Sequence, residues 1–200
     1  MKQLFLNSSI SLIQKSNNYS EEKLAELRYG LETFYTMITK LGTIFILAAL
    51  FHLLKELLLF LIFYTPLRSL GFGFHANNSI ECWIISVPIF LLLPFLAKII
   101  ILPNIISIII MALSTISFLL FAPADTKKKP LINHKKRLIN KSLVVIISIF
   151  YLYTPLFIQN QVIINTITYA CLWQAICVNP LLYALFKQPY NNYKKYIKEV

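Results

Sequence analysis

Long runs of apolar residues dominate this chain, and they decide what it can become. Ile80 to Ala97, Asn104 to Phe121, Ser142 to Ile158 and Val162 to Phe186 are each close to the roughly 20 apolar residues that a helix needs to cross a bilayer. Leu41 to Leu67 is as long but is interrupted by His52-Leu-Leu-Lys55-Glu56. Apolar residues make up 58% of the 200 residues and charged residues only 14%, against about 45–50% and 25% in a soluble domain. The expected fold class is therefore all-α: a polytopic membrane helix bundle of about six membrane segments, built as a single domain over 1–200.

The interruption at 52–56 decides the count. Charges at the centre of a bilayer cost several kcal/mol on insertion scales, about 2.5–3.5 each. That favours Lys55 and Glu56 at a turn near the far surface, making 41–67 a hairpin of two short helices rather than one blemished span. Pro88 and Pro94 are expected to bend the span that begins at Ile80. The bundle would then occupy 41–186, with a basic cytoplasmic tail over 187–200. Ahead of it, 1–40 reads as amphipathic N-terminal helices. Residues 3–16 suit a short surface helix, and Ser20-Glu21-Glu22 reads as an N-cap with an acidic first turn. Leu24, Leu27, Leu31, Phe34, Ile38 and Leu41 then form one stripe, with Lys23, Glu26, Arg28 and Glu32 opposite. Such a helix lies on a membrane surface or packs on a partner helix. Residues 1–40 are too polar to supply the apolar core of a cleavable signal peptide.

Nineteen basic residues against eight acidic give a net charge of +11. The basic residues gather beside the apolar spans, at 127–129, 135–137 and 194–198, as in loops retained in the cytoplasm. Membrane lipids with anionic head groups are the expected partners, and no nucleic acid is. Counting spans from these loops puts the N-terminus, the 68–79 loop and the C-terminus on the cytoplasmic side of the cell membrane. The three cysteines, Cys82, Cys171 and Cys177, suggest neither a disulfide framework nor a metal site, and no cofactor is expected.

Chemistry concentrates in Arg68-Ser-Leu-Gly-Phe-Gly-Phe-His75-Ala-Asn-Asn-Ser-Ile-Glu-Cys82. A thiol and an imidazole together are the ingredients of a cysteine peptidase. The thiolate is the nucleophile, so a reactive cysteine needs surroundings that favour its anion. Asn78-Ser79-Ile80-Glu81 reads as a capping box that would set Cys82 in the first turns of a helix, near the positive end of its dipole. On one continuous helix, residues seven apart lie about 10 Å apart along the axis, too far for proton transfer at about 3 Å. His75 must therefore sit on a loop that folds back, and Gly71 and Gly73 allow the unusual dihedrals required. Glu81, Asn77 or Asp125 are candidates to orient the imidazole. Spacing alone leaves packing and solvation open as the roles of Cys82 and His75, while Cys171 and Cys177 read as packing residues. Lys127, Lys128 and Lys129 read either as a topology anchor or as a docking site for an acidic peptide or lipid.

Two segments carry a resemblance. The first is Arg68 to Cys82, with Gly73-Phe-His75-Ala and a cysteine seven residues beyond the histidine. The second is Ala122-Pro-Ala-Asp-Thr-Lys-Lys-Lys-Pro130. With segment order and loop charge, these resemble AgrB, the accessory gene regulator membrane endopeptidase of Gram-positive quorum sensing, along essentially the whole chain. The resemblance implies a membrane cysteine endopeptidase that removes the C-terminal tail of an AgrD-type propeptide. His75 and Cys82 fall on the family's catalytic pair, with Arg68 and Gly73 as supporting residues. It also implies cyclisation of the product to a thiolactone or lactone autoinducing peptide, and a homodimer. The family often has two adjacent glycines before the histidine, whereas here Phe72 separates Gly71 from Gly73, which leaves the shape of the loop open. A non-enzymatic multi-pass membrane peptide transporter or scaffold is the alternative, weakened by the lack of an internal repeat.

Overall fold

The computed structural model describes residues 2–16, 19–76, 78–126 and 130–194. They form α1 (Lys2–Ser16), α2 (Glu21–Leu50), α3 (Leu54–Gly71), α4 (Ser79–Ile99), α5 (Asn104–Phe121), α6 (His134–Leu152), α7 (Thr154–Phe157), α8 (Gln161–Val178) and α9 (Pro180–Leu185). Among the described residues there is no strand ladder, and an isolated bridge joins Phe72 and Ala124. Five helices, α2, α4, α5, α6 with α7, and α8, are long and apolar enough to cross a membrane. The chain is an all-α, multi-pass membrane bundle.

The hairpin at 41–67 is present, with its turn at 51–53, just before the expected Lys55 and Glu56. Its second arm, α3, carries Lys55, Glu56 and Arg68 and is the sixth long helix. It tolerates those charges because it runs through the bundle, with Leu57, Phe60 and Leu67 fully buried and α2, α4, α6 and α8 packed around it. The buried Glu56 faces Lys98 on α4 at 3.6 Å, and the same ammonium donates to the His52 carbonyl at 2.9 Å. This ion pair fastens the far end of the bundle.

The first arm continues the amphipathic helix without a break, so residues 21–50 form one rod of about 45 Å. Along its apolar stripe Leu24, Leu27 and Leu31 are half-buried, whereas Phe34, Ile38 and Leu41 are 52%, 50% and 41% exposed. The charged face instead receives α1. Glu32 pairs with Lys2 at 2.5 Å, Arg28 donates to Asn7 at 3.3 Å, and Tyr35 lies against Phe5 with ring centroids 5.3 Å apart.

Three asparagines revise helix boundaries. Asn133 caps α6 by accepting from Lys136 N, so the basic stretch from His134 is helical and the loop is shorter than the expected 122–141. Asn160 accepts from Val162 N and Ile163 N at the start of α8. Asn179 accepts from Leu181 N and, with Pro180 behind it, splits the expected 162–186 span into α8 and α9.

The bundle is inverted relative to a soluble protein. Along α5, Ile105, Ile109, Leu113, Ile116 and Leu120 point outward, while Ser107, Met111, Ser114, Thr115 and Phe118 are buried. Lipid is as apolar as leucine, so small and polar side chains take the interfaces where backbones approach. The central helix α8 takes this furthest, burying Asn165, Thr166, Thr168 and Gln174. Asn165 donates to the carbonyls of Ala97 and Ile100 and Gln161 to that of Leu102, so one end of α8 holds the α4–α5 turn. Gln174, near the other end, holds the loop that carries His75.

Candidate active site

Three elements shape the loop after α3. Arg68, in the last turn of that helix, donates through Nη1 to the Phe72 carbonyl at 3.0 Å and through Nη2 to the Phe74 carbonyl at 2.6 Å. Gln174 donates to the Phe72 carbonyl at 2.7 Å. Phe74 N donates to the Cys177 carbonyl at 2.8 Å, Gly73 N to Ala124 O at 2.7 Å, and Ala124 N to Gly71 O at 3.0 Å. His75 thus lies on a loop outside any helix.

The two glycines serve different needs. Gly73 stands at φ 116°, a region that disfavours L side chains, and a Cβ there would lie 2.9 Å from the Cys177 carbonyl oxygen. Gly71 is the last residue of α3, and what excludes a side chain there is the Gln174 amide, 2.9 Å from where a Cβ would stand. The intervening Phe72 takes φ 56°. The chain therefore turns at Phe72 and Gly73, not at a glycine pair.

His75 is exposed, and its carbonyl accepts from Gln188 Nε2 at 2.7 Å. Helix α4 begins at Ser79 as expected, but Asn78 makes no side-chain capping bond. Cys82 N donates to the Asn78 carbonyl at 3.1 Å, which sets the half-buried thiol in the opening turns. His75, Cys82 and Arg68 line one cavity of about 190 Å³, with Lys40 and Ser86 as further polar walls and Ile85, Ile89, Phe90 and Trp173 as apolar ones. Sequence reasoning missed Lys40, whose Nζ lies 3.3 Å from Cys82 Sγ. It also missed Gln174. The signal for both was a polar group within an otherwise apolar run.

Asp125 is engaged elsewhere and drops out as an orienter of His75. It is fully buried. Its carboxylate accepts from Leu131 N at 3.2 Å, Asn192 N at 3.1 Å and Tyr193 N at 2.9 Å, and faces Arg137 at 3.9 Å. Arg137 in turn stacks over the Tyr193 ring at 3.7 Å. The Ala122-Pro-Ala-Asp segment, whose Ala122–Pro123 bond is cis, thus ties the α5–α6 loop to the C-terminal segment. Tyr183 adds a bond to the Ala124 carbonyl at 3.0 Å. Burial pushes that phenol up from its ordinary range, so it remains a donor at neutral pH. Lys127, Lys128, Lys129 and Asn77 lie outside the described residues. Cys171 and Cys177 are free and buried on α8. No group of three or more His, Cys, Asp or Glu that could hold a metal occurs among the described residues.

A sequence model of the AgrB family, accessory gene regulator B, matches residues 6–178. An AgrB-like protein of Listeria innocua is 34% identical over 180 residues, covering 88% of this chain and 86% of its own. One from Clostridium acetobutylicum is 29% identical over 180 residues, covering 89% and 85%. Accessory gene regulator protein B of Staphylococcus carnosus is 32% identical over 125 residues, covering 62% and 65%. No solved structure matches. By the extent of the family match and by these relatives, the chain belongs to the AgrB family and acts in the agr quorum-sensing system.

Proposed function

We propose that the chain is a membrane-embedded cysteine endopeptidase that removes the C-terminal tail of an AgrD-type propeptide and promotes cyclisation of the remainder. The observation that carries this reading is the shared cavity: His75 and Cys82, which helix geometry would hold apart, line one pocket because the 72–76 loop folds back. The Cys82 thiol passes its proton to His75 and its sulfur attacks the scissile carbonyl. The carbon–nitrogen bond breaks as the His75 imidazolium protonates the departing amine. The product is a Cys82 thioester. A cysteine of the substrate then exchanges with it to close a thiolactone, and a serine would close a lactone. That exchange is nearly balanced in energy, so positioning governs it. Hydrolysis would waste the thioester, and the walls formed by Ile85, Ile89, Phe90 and Trp173 limit water.

Arg68 and Gly73 support the loop that carries His75. The site faces the cytoplasm, as loop charge requires. The protein works as a homodimer, and Lys127, Lys128 and Lys129 attract the acidic tail. The test is co-expression with the propeptide followed by mass spectrometry of both chains. Wild type should yield tail-less peptide and a covalent adduct on Cys82, and Cys82→Ala and His75→Ala should yield neither. Cleavage that survives Cys82→Ala would refute the peptidase reading in favour of a transporter or scaffold.

A further inference from the structure

Across residues 33–50, the apolar length of α2, Lys40 is the one charged side chain. An ammonium inside a membrane-spanning segment is expensive, about 2.5–3.5 kcal/mol at the centre of a helix, and such groups face a cavity or a partner. Lys40 stands ten residues before the end of α2, level with the opening turns of α4, where Cys82 lies. It is half-buried, lines the His75–Cys82 cavity and reaches Cys82 Sγ at 3.3 Å.

Helical register explains the aim. Lys40, Ile44 and Ala48 recur at steps of four and share one face. Ile44 and Ala48 are 2% and 0% exposed, in a cluster with Leu53 and Leu57 against which Val87 and Phe90 of α4 pack. The stripe that seats α2 on α4 therefore carries Lys40 to the sulfur. On α4, Cys82, Ile85, Ser86, Ile89 and Phe90 form the answering face, with Ser86 Oγ 3.7 Å from Cys82 Sγ. A neutral thiol is a weak partner for a buried ammonium; a sulfur anion is a strong one. The other ionisable groups around the sulfur are Arg68, Tyr64, His75 and Cys177 on the cavity wall and the adjacent Glu81. Arg68 directs two of its nitrogens to loop carbonyls.

We propose that Lys40 is a positioning residue whose ammonium is the resident counter-charge of the Cys82 thiolate. The inference rests on the peptidase reading of the same cavity and divides the work within it. His75 carries the proton from the thiol to the leaving amine as the carbon–sulfur bond forms and the carbon–nitrogen bond breaks. Lys40 keeps its protons throughout and contributes only charge and placement. Helix α2 thereby becomes part of the reactive unit.

The experiment is alkylation of the full-length protein in lipid nanodiscs by iodoacetamide at neutral pH, read at Cys82 by peptide mass spectrometry. The buried Cys171, which lies outside this cavity, serves as the internal reference. Lys40→Met and Lys40→Gln should slow Cys82 alkylation about tenfold, and Lys40→Arg should restore it to within about threefold. Alkylation at the wild-type rate in the neutral variants, or a folded Arg variant as slow as Met, overturns the inference. If the neutral variants do not fold, Lys40→Arg decides: wild-type reactivity supports the charge, and loss of reactivity refutes it. Cleavage abolished by Cys82→Ala alongside alkylation indifferent to Lys40 would sink the ion pair alone. Cleavage retained in Cys82→Ala alongside a Lys40-dependent thiol would sink the peptidase alone.

Discussion

Gly73→Ala puts the loop geometry under the most direct strain. At φ 116° the added Cβ would stand 2.7 Å from Arg68 Nη1, 2.9 Å from the Cys177 carbonyl oxygen and 3.1 Å from its carbon. The guanidinium can swing away; the carbonyl belongs to the backbone of buried α8 and cannot. A non-glycine residue in this region costs about 1–3 kcal/mol. Displacing Arg68 gives up its bonds to Phe72 and Phe74, each worth about 1.5–3 kcal/mol with a charged donor. Strain together with loss of one of the two bonds comes to about 2.5–6 kcal/mol, concentrated on a loop, so the loop should move while the bundle stays folded. His75 lies two residues on, and a displacement of about 1 Å can reduce a rate about 100-fold. The assay is single-turnover propeptide cleavage in nanodiscs beside thermal unfolding followed by tryptophan fluorescence. Gly42→Ala is the control: it lies inside α2 with nothing within 4 Å of a Cβ, and it should stabilise by about 0.5–1 kcal/mol with cleavage unchanged. Were Gly73→Ala to cleave within threefold of Gly42→Ala, the reasoning about this loop would be wrong.

Gly71→Ala should be milder, costing about 1–2 kcal/mol, because its Cβ meets the movable end of Gln174 and disturbs one hydrogen bond to Phe72; cleavage should fall less than in Gly73→Ala. Asp125→Ala strands Arg137 and three backbone N–H groups. A loss of about 3–5 kcal/mol is expected, visible as faster limited proteolysis within residues 186–194. Lys98→Met removes the partner of Glu56, but Lys98 is 42% exposed, so its melting point should drop by only about 2–4 °C.

The spans were legible because lipid demands long apolar helices, and the break in helix between Gly71 and Ser79 was legible from the glycines and polar residues there. Helix ends were read less well. Asn133, Asn160 and Asn179 are ordinary polar residues until their side chains are seen accepting from the turn beyond. The role of Asp125 was hidden for a different reason. Its partners lie up to 68 residues away, and periodicity carries no information at that distance. Lys40 had a signal, a lone charge in an apolar run, but its partner sits 42 residues on and emerges only when α2 packs on α4. The docking of α1 on the charged face of α2 contradicts the usual soluble logic, since Phe34, Ile38 and Leu41 of the apolar face stay exposed.

The loop between α3 and α4 takes its shape from residues that the ribosome makes well after it. Lys40, Arg68, His75 and Cys82 have all been synthesised by residue 82, yet the loop hangs on Ala124, Gln174 and the Cys177 carbonyl. A nascent chain halted before its final spanning helix carries the reactive groups without the scaffold that gathers them. On the proposed peptidase reading, the site therefore waits on membrane insertion, because the arrival of α8 supplies the last supports of the His75 loop.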